Sequence, residues 1–299
     1  MKHEAYEDFL DIARIRDIPA RGWLAIALRV FKQIGSDNVT IIAGGIAFFF
    51  FLSVFPALSA AVAIYSFFQD PASIQDHLAI VQPLLPEEAF LTIEEILTLR
   101  IENQTNGLGL SAIASILFAI WSAKKGTNAV FRGVNVAYDI EQKRSFILNT
   151  FLTVGFTLGG LLLLIVAVFL LALFPLIVEL IGLDPSGALI ASAMRWLVMI
   201  IAVLSVLAII YRIAPSRKIP RFRWVTPGSL FACFIWLLWS VAFAWYSENL
   251  GDYSKTYGSF TAVAVLLLWF YLSGIIILVG AELNAEVERF VKGGISRGT

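Results

Sequence analysis

Long apolar runs dominate the chain, and six of them approach or exceed the roughly 20 residues a helix needs to cross a bilayer. They fall at about 39–68, 107–123, 146–182, 187–213, 226–247 and 259–281. The pattern predicts an all-α fold, a polytopic membrane bundle of six transmembrane helices. Ser36-Asp37-Asn38 precedes the first run, with side chains of the type that accept hydrogen bonds from the free N–H groups of a helix start. The charged stretch ahead of it is the wrong layout for a signal peptide's short basic leader, so this span is expected to stay in the mature protein. The third run is too long for one simple crossing. At about 1.5 Å per residue it would make a helix of roughly 55 Å, against a hydrocarbon core of about 30 Å. Either it tilts and protrudes, or Pro175 kinks it and Leu176–Gly182 lies along the outer surface.

Two segments between or before the spans are amphipathic. Trp23, Ala27, Val30, Phe31 and Ile34 share one helical face, with Arg29 and Lys32 elsewhere, as in a helix lying in the membrane interface. The connection 69–106 repeats Ile74, Leu78 and Val81, then Phe90, Ile93 and Leu97, at helical spacing, which predicts two short helices on the outer rim. The chain thus divides into a cytoplasmic segment 1–36, a six-span membrane domain 37–283 and a cytoplasmic tail 284–299.

Composition strengthens this division. Of 299 residues 59% are apolar and 15% charged, where soluble domains carry about a quarter charged. Soluble, disordered and fibrous classes are excluded, and Cys233, the single cysteine, allows no internal disulfide. The formal net charge of zero hides an alternation along the chain. Lys2, Arg14, Arg16, Arg21, Arg29 and Lys32 precede the first span, and the next loop has only Arg100. Lys124, Lys125, Arg132, Lys143 and Arg144 crowd the connection 124–145, whereas the one around Asp184 has no basic residue. Arg217, Lys218, Arg221 and Arg223 fill the fifth, Lys255 stands alone in the sixth, and Arg289, Lys292 and Arg297 follow the last span. Basic residues stay on the cytoplasmic side, so both termini are predicted there.

Particular strings add a resemblance. Asp37-Asn38, Ala43-Gly44-Gly45-Ile46-Ala47-Phe48 and Leu52-Ser53-Val54-Phe55-Pro56 are followed by Val134-Asn135-Val136-Ala137-Tyr138, then Ile219-Pro220 and Pro227-Gly228. Tyr257-Gly258-Ser259 and Leu278-Val279-Gly280-Ala281-Glu282-Leu283-Asn284 complete the set. In this order they resemble the YihY/BrkB family of bacterial inner-membrane proteins, over nearly the whole membrane domain. The resemblance implies a six-span protein of the bacterial inner membrane, with transport of a lipid or amphiphile, and marks Pro56, Asn135, Tyr257, Gly258 and Gly280 as structural motif positions. The family's historical ribonuclease label is implied to be mistaken.

Candidate chemistry is sparse. His3 and His77 are predicted on opposite sides of the membrane, and no phosphate-binding glycine loop, nucleophile elbow or His-Glu-x-x-His string occurs. No catalytic residue, metal site or cofactor is expected, and no nucleic acid partner, since topology already explains the basic loops. Ionisable residues inside spans are costly and default to functional candidates. Arg195 lies in the fourth span with Glu179 as a candidate partner. Two readings stand evenly: an anion-attracting group facing an outward-open cavity, or an arginine snorkelling toward the outer surface. Glu282 is expected to pair with Lys124, Lys125 or Arg132 at the cytoplasmic level, holding helix ends together rather than relaying protons. Asn128 and Asn135 fall in the predicted loop. Gly155, Gly159 and Gly160 predict close packing within the bundle, a subunit contact in a homo-oligomer being the alternative. Pro56 is expected to bend the first span. Thr150, Thr153, Thr157 and Ser205 are the fragments of a polar stripe that a solute pathway would need. The sequence therefore favours a transporter or flippase of a lipid or anionic amphiphile through a lipid-accessible cleft. A non-transporting scaffold for envelope biogenesis is second, and a membrane ribonuclease last.

Overall fold

The computed structural model describes residues 15, 18–68, 110–141, 144–170, 174–182, 184–216, 225–248 and 259–291. Among these the chain is helical, with no strand. The helices are α1 (Ala20–Ser36), α2 (Val39–Phe68), α3 (Leu110–Ala137), α4 (Phe146–Val168), α5 (Phe174–Ile181), α6 (Pro185–Ile213), α7 (Thr226–Glu248) and α8 (Ser259–Val291). The outer-loop helices expected within 69–106, and Tyr257 and Gly258, lie outside the described residues.

Five stretches are long and apolar enough to cross a membrane: Val39–Ala57, Phe146–Ala167, Ser186–Ile213, Thr226–Tyr246 and Val263–Val291. The predicted span 107–123 corresponds to the first half of α3. Its described apolar part runs only from Leu110 to Ala123 before Lys124 and Lys125 follow in the same helix. The helix then continues to Ala137, through residues the hydropathy pattern assigns to a loop. Charge stops a hydrophobic run without stopping a helix, since Lys and Arg are good helix formers.

The overlong third run is described as two helices on either side of 171–173. α4 begins at Ser145, whose hydroxyl accepts the Leu148 N–H at 3.4 Å, and ends at Val168. α5 is described from Phe174, beyond 171–173, and carries Pro175 near the start of its described part. Gly182 at φ 68° ends it. Asp184 then caps α6 by accepting the Gly187 N–H at 3.3 Å. The Ser186 hydroxyl, then the Gly187 amide, hold the Asp184 carboxyl below its usual range.

The core gathers at one end of the bundle, the end that carries Arg144 and Arg289 among the described residues. Val39, Ala43 and Ile46 of α2 meet Val130, Phe131 and Val134 of α3. Leu207 and Tyr211 of α6, Ala232 and Cys233 of α7, and Leu278, Ala281 and Ala285 of α8 complete the cluster. Helix α8 packs on α1, α2, α3, α6 and α7 and is the common partner of the assembly. Away from this core α4 and α6 face outward: of an 18-residue window in each span, only 12% of α4 and 11% of α6 is buried within the protein.

Glycine explains how α8 reaches so many neighbours. A Cβ on Gly228 would strike the Gly280 carbonyl oxygen, and one on Gly280 would meet the Tyr211 hydroxyl and lie 2.9 Å from Ala232 Cβ. The backbones of α7 and α8 therefore touch at this pair, as small residues permit in lipid. Gly133 of α3 likewise makes room for Leu278, which would lie 2.5 Å from an added Cβ. The expected packing at Gly155, Gly159 and Gly160 is not found among the described residues, none of which lies within 4 Å of a Cβ at any of them. The face of α4 that does pack carries Thr153 and Thr157, both buried.

Helix α1 docks on the end of α8 through Ile26 and Val30 against Val287 and Phe290. Gly22 belongs to this face, since its Cβ would sit 2.9 Å from the Phe290 ring. The face predicted from sequence is rotated from this one. Phe31 is 78% exposed, and Leu24 and Leu28 are also exposed. The apolar arc of α1 is wide enough to serve two surfaces, and periodicity alone does not separate the protein-facing third from the rest.

Candidate functional site

Polar contacts concentrate where the helix ends meet α8. Asn135, near the end of α3, is 4% exposed. Its amide donates to the Phe131 carbonyl at 2.9 Å, and its side-chain oxygen accepts the Ser216 N–H at 2.7 Å. It is a buried tie between helix ends, where the sequence places it in an unremarkable loop. Tyr211 donates to the Ile277 carbonyl at 2.8 Å, and Asn284 accepts the Gly228 N–H at 2.7 Å. That amide belongs to the first turn of α7 and has no helical partner of its own.

Two arginines counted as topogenic charge have specific partners. Arg144 donates to the carbonyls of Ile213, Ala214 and Pro215 at 2.5, 3.0 and 2.6 Å, satisfying carbonyls at the C-terminal end of α6 that lack a helical partner. Desolvation lowers its pKa from the ordinary arginine value. Arg289 donates to the Ala137 carbonyl at 3.0 Å and the Asp139 carboxylate at 2.7 Å, and pairs with Glu286. Helix C-termini attract cations, and here residues distant in sequence supply them.

Glu282 is 1% exposed, and the charged groups acting on it are Asp37, Arg289 and Glu286. The expected pairing with a basic residue of α3 is therefore replaced by a neighbourhood built from α8 itself and the α1–α2 turn. Lys124 faces the other way, with its ammonium 3.4 Å from Thr150 Oγ1 and 5.9 Å from the Phe146 ring. Lys125 lies over Trp121, 5.5 Å from its ring centre. Thr127 and Thr157 share a hydrogen bond of 2.9 Å, and Asn149 donates to Asn128 at 3.1 Å. Thr150 and Thr157, taken from sequence as fragments of a solute path, thus link α3 to α4.

Arg195 stands apart from this knot. It lies in the first half of α6, half-buried, with its guanidinium 5.7 Å from the Trp196 ring centre. Its Nε is buried and finds no hydrogen-bond partner among the described residues. Met194, Trp196, Leu197 and Val198 around it in sequence are all exposed. The backbone of Glu179 lies in α5, and its side chain is outside the described residues. Pro56 lies inside α2, three residues after Ser53, whose hydroxyl donates to the Phe50 carbonyl at 2.6 Å. Among the described residues no group of three or more His, Cys, Asp or Glu is placed to hold a metal ion.

Comparison with known proteins agrees with the motifs. A ribonuclease-like protein, YfkH, of Bacillus subtilis is 36% identical over 248 residues, 82% of this chain and 88% of the relative. A UPF0761 membrane protein of Pseudoalteromonas translucida is 28% identical over 84% of this chain and 82% of its own length. One from Psychromonas ingrahamii is 28% identical over 89% and 88%. No solved structure matches the chain. The sequence model of the family described as virulence factor BrkB matches residues 30–297, which include every helix-end tie described above. The chain belongs to this BrkB family of integral membrane proteins.

Proposed function

We propose that the protein crosses a bacterial inner membrane six times, with both termini in the cytoplasm, and moves a lipid or other anionic amphiphile along a lipid-accessible face. The observation that carries this reading is Arg195. A guanidinium within an apolar span is costly unless something compensates it, and its Nε has no partner among the described residues. An anionic headgroup would supply both the charge and the planar acceptors a guanidinium binds in a fork. The thinly covered span of α6 leaves this position open to lipid. The sixth crossing is the apolar first half of α3, because the alternation of basic connections requires an even number of spans.

Photoactivatable lipids test the assignment. An anionic analogue should label the α6 region of the wild type more than a zwitterionic one, and Arg195→Ala should remove the difference. Arg195→Lys should restore it in part. Equal labelling of wild type and Arg195→Ala by the anionic analogue removes Arg195 from the path.

A scaffold role is the second reading, favoured by the unfilled surface beside Gly155, Gly159 and Gly160 on α4. It calls for self-association without lipid movement. The ribonuclease-like name belongs to the Bacillus relative, and among the described residues there is no cluster of the metal ligands that RNA cleavage commonly uses. The pure protein is accordingly expected to leave RNA intact. Metal-dependent cleavage that vanishes on a point substitution in this chain would reverse that expectation.

A further inference from the structure

One buried group near the helix ends is used by neither the packing nor the transport reading. Asp37 lies in the turn between α1 and α2, and Glu282 in α8. Asp37 acts on Glu282 both as a like charge and as a side-chain hydrogen-bond partner. Asp37 Oδ2 and Glu282 Oε2 are both buried, and neither meets a donor among the described residues. Glu282 is itself 1% exposed, so water does not supply one readily.

The surrounding charges do not close the account. Glu286 and Arg289 act on Glu282 from one and two turns further along α8. Arg289 is engaged by Glu286 and by Asp139 beyond α3, and Arg29 of α1 lies 3.9 Å from Glu286. Among the contacts of the described residues, four carboxyl groups (Asp37, Asp139, Glu282, Glu286) meet two guanidinium groups (Arg29, Arg289). Carboxylates only accept hydrogen bonds, and two of them in contact away from water repel. A single proton removes both faults, because a carboxylic acid donates to the carboxylate facing it. A metal ion is the poorer fit, since no cluster with metal-holding arrangement occurs among the described residues.

We propose that Asp37 and Glu282 form a proton-binding site, a carboxyl–carboxylate pair that holds one proton and ties the α1–α2 junction to α8. The proton comes from water. One carboxylate becomes a carboxylic acid whose O–H donates to the other, and release returns the proton to solvent. Release leaves two like charges in contact, which pushes Asp37 from α8 and loosens the α1 helix joined to it. The site stands independently of any transport activity.

Infrared difference spectroscopy on the full chain in nanodiscs reads the proton directly. At neutral pH the wild type should show a protonated-carboxyl band that shifts in D2O and disappears at alkaline pH. Asp37→Asn and Glu282→Gln should each lack it. Thermal unfolding supplies a second readout. If a proton is bound in the folded protein and not in the unfolded chain, wild-type stability should fall as pH rises from neutral. Asp37→Asn, whose amide donates without titrating, should lose that slope. Should either variant fail to fold, the wild-type band and its pH dependence still decide the matter. Absence of the band from wild type at neutral pH, or an undiminished band in the folded variants, would overturn the proposal. Stabilisation by Mg2+ or Ca2+ that requires Glu282, without the band, would overturn it in favour of a cation.

Discussion

Single residues separate positions that a composition scan treats alike. Gly280 and Gly159 are both helix glycines in apolar runs, yet a Cβ at Gly280 would meet Tyr211 and Ala232, while at Gly159 it meets none of the described residues within 4 Å. Gly280→Ala should therefore destabilise by about 1–3 kcal/mol through overpacking. Gly159→Ala should be neutral or gain up to about 1 kcal/mol from helix propensity. Thermal unfolding in detergent checks the pair, and an equal response would refute the α7–α8 backbone contact. Arg144 and Arg195 form a second contrast. Arg144 binds three carbonyls, so Arg144→Ala should cost about 1–3 kcal/mol through buried acceptors left unpaired. Lysine should rescue poorly, because one ammonium does not reproduce the guanidinium fork. For Arg195 the same substitution discriminates between readings. Loss of lipid labelling with stability intact indicates an anion site. Loss of about 3–5 kcal/mol, recovered on removing Glu179 as well, indicates a buried pair between them.

At the scale of elements, α8 sets the arrangement and α1 depends on it. Ile26 is fully buried where α1 meets Val287 and Phe290, so Ile26→Asp should free α1 without dissolving the bundle. Limited trypsin digestion should then cut at Arg21, Arg29 or Lys32 much faster, while the midpoint of global unfolding moves little. Unchanged digestion would mean that α1 is not held by this contact. Much of the element order was legible in the sequence, because runs of apolar residues report directly on helices in lipid. α2, α6 and α7 fall where hydropathy places them. The failures share a cause. Hydropathy ends a span at the first charges, so Lys124 and Glu282 read as boundaries although α3 and α8 continue beyond them. Partners were less legible still. Arg144 and Arg289 bind helix ends far off in sequence, and nothing in a one-dimensional charge count separates such a cap from a topogenic charge. Small-residue spacing marked Gly155 and Gly159 and passed over Gly228 and Gly280, because the latter pair are partners across two helices rather than neighbours on one.

Taken whole, the molecule is a bundle closed around α8 at its basic end and thinly covered toward Arg195 at the other. This asymmetry gives orientation functional weight: the six crossings proposed above would place the knot in the cytoplasmic half and Arg195 toward the outside. Cysteine labelling on a Cys233→Ala background tests the placement. Gly35 is exposed, with nothing near a Cβ, and Gly35→Cys should label only from the cytoplasmic side. Ser186→Cys, in the exposed first turn of α6, should label only from outside. Ser216 is a poorer reporter than its position in a basic loop suggests, because its hydroxyl oxygen is buried and its N–H binds Asn135. Labelling of both reporters from one side would break the topology, and the transport reading with it. The most direct test of that reading is transbilayer movement of fluorescent lipids in vesicles holding the purified protein. The account predicts that an anionic lipid crosses faster than in protein-free vesicles, that a zwitterionic lipid gains less, and that Arg195→Ala lowers the anionic rate toward the protein-free one. Equal anionic rates with and without the folded protein would contradict it.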